Sequence, residues 1–144
     1  SRCLVGSEMC IRDRIKSFDD KSVKMASLMT KFKSFEELNS PNNVKVIVDN
    51  NDDALYFSRS PIPHASKKID DYNRHIGIYA FLKQSLIEFS NLERLNLEIT
   101  ENLEGNRVVE HSKKIRMINT DFHGISIDTP EDLIRAEKFI SLND

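Results

Sequence analysis

The segment spanning residues 44–58 constrains the fold more than any other part of the chain. It contains two apolar runs, Val44–Val48 and Ala54–Ser58, and each of the five residues between them is Asp or Asn. β-branched and aromatic residues favour strands, whereas Asp and Asn favour tight turns. The pattern therefore predicts a β-hairpin.

Strands and helices alternate along the rest of the sequence. We predict further strands at 23–28, His75–Phe81, 114–118 and 124–127, with Gly77 marking a place where a backbone or ligand approaches closely. We predict helices over Lys83–Ser90 and from Leu95 toward His111, the second interrupted at Gly105, and a capped helix that begins at Thr129 and Pro130. This order is typical of an α/β protein. The units are too few for a complete doubly wound sheet, so we expect the later portion of a larger α/β domain.

Charge and cysteine usage exclude several functional classes. The formal net charge is −2 with both signs interspersed, which predicts no nucleic-acid partner. Cys3 and Cys10 both lie near the start, so neither a disulfide framework nor a zinc site is indicated. No apolar stretch approaches the roughly 20 residues that span a bilayer, and we expect a soluble, cytoplasmic protein with no membrane partner.

Residues 1–14 show neither helical nor strand periodicity. We interpret them as a non-native tail and residues 15–144 as the folded portion.

Local motifs do not assign a chemistry. The four glycines form no phosphate-binding loop, and the four histidines show no paired metal-ligand spacing. Arg59 ends a predicted strand, where its guanidinium suits either a carboxylate or phosphate ligand or an ordinary surface position. His75 and Tyr79 share one face of a strand, as sugar ligands or as half-buried structural residues.

Acidic residues supply the remaining candidates. Glu98, Glu101 and Glu104 recur every three residues on the predicted second helix, a spacing that more often gives only a solvated face. Asp128 lies between a predicted strand and the capped helix, where a carboxylate either holds Mg²⁺ or helps to cap the helix.

Four motifs in order resemble the 3-deoxy-manno-octulosonate cytidylyltransferase family. They are ALYFSRSPIP at 54–63, HIGIYAF at 75–81, the segment 97–107 with its glutamates and arginine, and SIDTPEDL at 126–133. The resemblance runs from about residue 23 to residue 140. It implies the C-terminal part of a Rossmann-like nucleotidyltransferase fold with a mixed sheet, without the N-terminal nucleotide-binding half.

The resemblance also implies a reaction. The family transfers a cytidylyl group from CTP to the acid sugar 3-deoxy-manno-octulosonate, releases pyrophosphate, uses Mg²⁺, and forms homodimers that serve lipopolysaccharide synthesis in the cytoplasm. By this resemblance Arg59, His75, Tyr79 and Glu101 or Glu104 contact the sugar, and Asp128 holds Mg²⁺ as a catalytic metal ligand. The portion by itself is expected to be inactive because the nucleotide loop has no counterpart here.

One departure keeps other substrates open. The family usually has glutamine and then an aliphatic residue where this chain has Gly105 and Asn106. Another acid sugar, such as a sialic acid, is one alternative substrate. A non-catalytic sugar-binding or dimerisation module is the alternative from a different functional class.

Overall fold

The computed structural model describes residues 18–64 and 66–121, together with Pro130, Glu131, Leu133, Ile134 and Glu137. The strands are β1 (Met25–Lys31), β2 (Lys45–Val48), β3 (Ala54–Ser58), β4 (Asn73–Phe81) and β5 (Arg116–Asn119). The helices are α1 (Phe35–Asn39), α2 (Lys83–Ser90), α3 (Asn96–Glu101) and α4 (Gly105–Glu110). Strands and helices are interspersed along the chain, which confirms the predicted α/β class.

The strands form one mixed five-stranded sheet in the order β3-β2-β4-β1-β5. β1 is parallel to β5 and antiparallel to β4, and β2 is antiparallel to both β3 and β4. Six of the seven residues of β1 are buried, as expected of an apolar strand inside a sheet. The main core includes Met25, Val46, Phe57 and Val108, so β1, β2, β3 and α4 share it.

The predicted hairpin is confirmed. Backbone bonds pair Lys45 with Ser58 and Val46 with Phe57, and Asp52 takes a positive φ of 61° in the turn. Asn and Asp tolerate this left-handed conformation better than most residues, which explains the polar run between the strands.

The two outer strands of the sheet touch at one end. Asp53, at the start of β3, forms an antiparallel bridge with Arg116 of β5. The buried Asp53 carboxylate accepts from Arg116 Nε at 2.9 Å and from Lys114 Nζ at 2.9 Å. These ion pairs join the sheet edges at a point where the backbones already meet.

Three sequence-based boundaries need correction. β1 begins at Met25 rather than residue 23 and continues to Lys31, and β5 covers Arg116–Asn119 rather than 114–118. The single helix predicted from Leu95 is wrong, because Asn102 takes a left-handed conformation (φ 54°) and separates α3 from α4. Gly105 is therefore the first residue of α4 and not the interruption.

Other predictions have different outcomes. The strand over His75–Phe81 and the helix over Lys83–Ser90 are confirmed. Apart from its chain neighbours, no atom lies within 4 Å of a Cβ placed on Gly77, so the described residues show no close backbone approach there, and the approach of a ligand stays a prediction. Pro130 and Glu131 are helical, as predicted, whereas Thr129 and the strand at 124–127 lie outside the described residues.

None of the helices in the described part of the chain has the length and hydropathy needed to cross a membrane.

Candidate functional site

Two of the predicted site residues, His75 and Tyr79, lie in a row of aromatic rings that starts at Phe57, a fully buried side chain of β3. The His75 ring lies 4.7 Å from the Phe57 ring, and the Tyr79 ring lies 5.4 Å from that of His75. On another side of Phe57, a Cβ on Gly105 would fall 2.7 Å from the ring. His75 and Tyr79 therefore share a face of β4, as predicted from their spacing.

Aromatic contacts continue along this face toward α2. Tyr79 lies 6.3 Å from Phe81, and Phe81 lies 5.4 Å from Phe89. The guanidinium of Arg107 covers the Phe89 ring at 4.7 Å, a cation–π contact that ends the row. The row gives the site a rigid apolar floor.

His75 is a neutral, inward-facing imidazole. Its Nε2 lies 2.8 Å from Ser27 Oγ on the neighbouring strand. Burial lowers the pKa of His75 from 6.5 to about 4 because the charged ring loses its hydration. A neutral imidazole can still offer or accept a hydrogen bond at its other nitrogen.

The fold should lose stability as the pH falls from about 6.5 to about 4, the interval between the unfolded and folded pKa values of His75. In this window the unfolded chain binds a proton that the folded chain does not, so acid favours unfolding. Between pH 7 and pH 4.5 we expect the free energy of unfolding to fall by roughly 2 kcal/mol more in the parent chain than in His75→Gln. Urea unfolding of both proteins at the two pH values measures this. His64→Gln, at an exposed histidine, is the matched control, and equal pH dependence in the parent and His75→Gln would contradict the assignment.

Tyr79 and Glu104 are electrostatically coupled. Burial raises the pKa of Tyr79, and the nearby Glu104 carboxylate raises it further, while a hydrogen bond from the Gly105 backbone acts in the opposite direction. Tyr79 thus remains a protonated hydroxyl, able to donate and to accept. Glu104 is exposed and precedes α4 directly. The Glu104 carboxylate is therefore open to solvent and close enough to act on the pKa of the Tyr79 phenol.

Arg59 and Glu101 form a second group at the end of β3. Glu101 Oε1 accepts from Ser58 Oγ at 2.8 Å and from Tyr56 Oη at 3.3 Å, and Oε2 accepts from the Arg59 backbone N–H at 2.9 Å. Three donors leave this carboxylate little capacity for a ligand. Arg59 Nε donates to the Glu101 carbonyl, and Nη1 donates to the Pro41 carbonyl, both at 3.0 Å. Because the guanidinium is planar, these two bonds also fix the direction of its remaining N–H groups.

The predicted acidic ridge is wrong. Glu98 and Glu101 both lie on α3, whereas Glu104 directly precedes α4, because the backbone turns at Asn102. Glu98 is buried and receives Arg107 Nε and Nη2 at 2.6 Å each, with Arg94 Nε at 3.2 Å. Hydrogen bonds from Arg107 lower the pKa of Glu98, which identifies it as a structural anion rather than part of a solvated face.

Sequence reasoning missed two buried polar residues beside the site. Lys45 is fully buried in β2, and Asn106 is fully buried in α4. The Asn106 side-chain amide accepts from Phe57 N at 3.1 Å and donates to Phe57 O at 2.9 Å, so it satisfies the open backbone of an edge strand. For Lys45 a signal existed: it is the one charged residue inside the apolar run 44–48.

A cavity of about 590 Å³ lies at the Phe81 and Phe89 end of the aromatic row. Its walls come from the start of β1, the start of β5 and one side of α2, and they include Lys24, Arg116, Phe81 and Phe89. None of the predicted site residues that the structure describes lines this cavity. Within the described ranges no group of three acidic, histidine or cysteine side chains is arranged to hold a metal ion. Asp128 lies outside them.

The chain is similar in sequence to cytidylyltransferases. A family model described as cytidylyltransferase matches residues 7–115. A protein from Flavobacterium johnsoniae named 3-deoxy-manno-octulosonate cytidylyltransferase is 48% identical over 127 residues, covering 87% of this chain and 52% of the relative. A protein of the same name from Fusobacterium nucleatum is 42% identical over 142 residues, covering 97% and 58%. The chain thus spans about half the length of the curated relatives it matches.

Solved structures agree with this relationship. The structure of CMP:2-keto-3-deoxy-manno-octonic acid synthetase complexed with CTP superposes with a TM-score of 0.82 at 31% identity, over 95% of this chain and 57% of that one. A putative glucose-1-phosphate thymidylyltransferase from Bacillus anthracis, at a TM-score of 0.55 and 14% identity, shares the fold over 90% of this chain and 48% of its own. Since the family model spans most of the 144 residues, this chain belongs to the cytidylyltransferase family.

Proposed function

We propose that the protein containing this chain transfers a cytidylyl group from CTP to 3-deoxy-manno-octulosonate in the cytoplasm and releases pyrophosphate, and that it acts as a homodimer. The observation that carries the proposal is the row of Phe57, His75 and Tyr79 rings across β3 and β4, with Arg59 two residues beyond Phe57 and Gly105 against the Phe57 ring. The names of the relatives and the CTP complex of the structural neighbour support the same reaction.

The chemistry of the side chains fits an acid sugar. The Arg59 guanidinium suits the sugar carboxylate because it presents several N–H groups in a fixed plane. The Tyr79 hydroxyl can donate to or accept from a sugar hydroxyl, and the open Glu104 carboxylate can accept from a second. We assign His75 the same face, with the nitrogen not bonded to Ser27 available to the sugar. Glu101 shapes the site, since its carboxylate is held by three donors of the chain itself.

We propose Mg²⁺ as the metal and Asp128 as one of its ligands. Carboxylates and phosphate oxygens are the ligands that Mg²⁺ prefers, and bound Mg²⁺ would offset negative charge on the reacting phosphate. The described residues hold no metal cluster by themselves, so this assignment depends on Asp128 and on residues outside them. The described side chains bind and orient the sugar, and no step is assigned to them beyond that.

Pyrophosphate release from CTP, Mg²⁺ and 3-deoxy-manno-octulosonate tests the proposal. The assay uses protein expressed from the complete reading frame that contains this chain, with Asp128→Ala beside it. We expect release by the parent and at least about a tenfold loss in the variant, because a missing carboxylate weakens the metal site.

The other outcomes of this assay identify the alternatives. Asp121→Ala, at a described exposed carboxylate nearby in sequence, is the matched control. Release with a sialic acid but not with the octulosonate would reassign the substrate. Absence of release with either sugar would favour a binding or dimerisation module.

A further inference from the structure

The most unusual buried group near the site is the ammonium of Lys45. Its side chain is fully buried and is the largest such side chain among the described residues. Nζ donates to the Ser40 carbonyl at 2.8 Å and to the Arg59 carbonyl at 2.7 Å. Ser40 ends α1 and Arg59 follows β3, so one cation joins two separate loops.

The same two loops are also joined through the Arg59 side chain. Its Nη1 donates to the carbonyl of Pro41, the neighbour of Ser40. Arg59 is therefore held at its carbonyl by Lys45, at its guanidinium by Pro41 and at its backbone N–H by Glu101. Because the Lys45 ammonium contacts both loops, its removal loosens each of them, while the bonds from Arg59 to Pro41 and Glu101 remain.

The energetics indicate positioning rather than bulk stability. Burial lowers the pKa of Lys45 to about 8, with Glu101 acting to raise it and Arg59 acting to lower it further. Taking an ammonium out of water is costly, and hydrogen bonds to two carbonyls offset part of that cost rather than adding a large net stabilisation. The Lys45 ammonium specifically holds the Ser40 and Arg59 carbonyl groups in fixed positions.

We propose that Lys45 is a positioning residue that orients the Arg59 guanidinium for the carboxylate of an anionic ligand. The sugar-specific part rests on the proposed function. The geometric part, control of the Arg59 segment by Lys45, is independent of it. Two guanidinium N–H groups donate to backbone carbonyls, and these two bonds fix the direction of the other N–H groups. A freed loop would misplace the guanidinium without removing it.

Lys45→Met tests the proposal because methionine matches the length of the lysine stem and lacks the donors. Lys45→Arg keeps the charge and provides a second variant should the first unfold. Lys31→Met is the matched control, since Lys31 Nζ donates to the Asp70 carbonyl and the Asn73 side chain, away from Arg59.

Two readouts separate the geometric part from the functional part. Hydrogen exchange at the Arg59 amide should accelerate roughly tenfold in Lys45→Met and remain unchanged in Lys31→Met. In the complete protein, the KM for the acid sugar should rise roughly tenfold with little change in the KM for CTP, and Lys45→Met should add no further loss on top of Arg59→Ala.

The outcomes test the positioning role of Lys45 and the proposed function separately. Unchanged exchange at Arg59 in a folded Lys45→Met protein overturns the positioning role, whatever the activity. Equal increases in both KM values, or losses that add to those of Arg59→Ala, also overturn it. If the complete protein transfers no cytidylyl group to any acid sugar while exchange does accelerate, the proposed function fails and the positioning role stands.

Discussion

Glu98→Ala should lower the free energy of unfolding by about 4 kcal/mol, because the substitution leaves a partly buried guanidinium without its anion. Glu98 binds Arg107 through both carboxylate oxygens, and Arg94 adds a third contact. The backbone N–H of Glu98 and that of Leu97 bond to Glu110. Glu98 and Glu110 thus connect α3 to α4, and α4 carries Asn106 against β3.

Urea unfolding measures this change, and the exposed Glu104 provides the control. Glu104→Ala removes an exposed carboxylate and should change the free energy of unfolding by about 0.5 kcal/mol or less. Glu98→Ala combined with Arg107→Met should recover part of the loss, since no buried charge is then left unpaired. A Glu98→Ala protein as stable as Glu104→Ala would show that the ion pair does not hold α3 to α4.

Gly105→Ala should lower the free energy of unfolding by about 2 kcal/mol, although alanine normally stabilises a helix relative to glycine. The added Cβ would lie 2.7 Å and 2.8 Å from two ring carbons of Phe57. Phe57 is fully buried and packs on His75 as well, so its ring has no open space into which to move. Overpacking of the core therefore outweighs helix propensity.

Gly77→Ala is the matched control for this prediction. A Cβ on Gly77 meets no atom within 4 Å, so the thermal unfolding midpoint should barely change. In Gly105→Ala combined with Phe57→Leu, the two costs should sum to less than their separate values, because the smaller side chain makes room for the Cβ. A Gly105→Ala protein with a raised thermal unfolding midpoint would contradict the prediction. It would mean that the gain in helix propensity outweighs the overpacking and that the Phe57 ring moves aside.

The Gly105 result also bears on substrate choice. The resemblance places glutamine at this position in most of the family, whereas in this chain the Phe57 ring fills the adjacent space. The region beside Tyr79 is thus formed by an aromatic ring and a bare backbone. Because of this difference, the pyrophosphate-release assay compares the octulosonate with another acid sugar.

Local sequence determined the hairpin, the long β4 strand and the α2 helix. The reason is physical: turn chemistry, β-branched runs and apolar spacing act over a few residues and leave a direct trace in composition. Sequence also placed His75 and Tyr79 on one face, since that follows from strand periodicity alone. The order of the four motifs along the sequence likewise indicated the family relationship.

Tertiary structure decided the roles of the charged residues. Glu98, Glu101 and Glu104 have the same chemistry and regular spacing, yet one is a buried ion-pair partner, one fixes the end of β3 and one is open to solvent. The left-handed turn at Asn102 separates Glu104 from the other two, and a single asparagine does not predict such a turn within an otherwise helical pattern. Lys45 and Asn106 acquire their partners from segments 14 and 49 residues away. Contacts over such separations depend on which strands become neighbours, and only the folded sheet determines that.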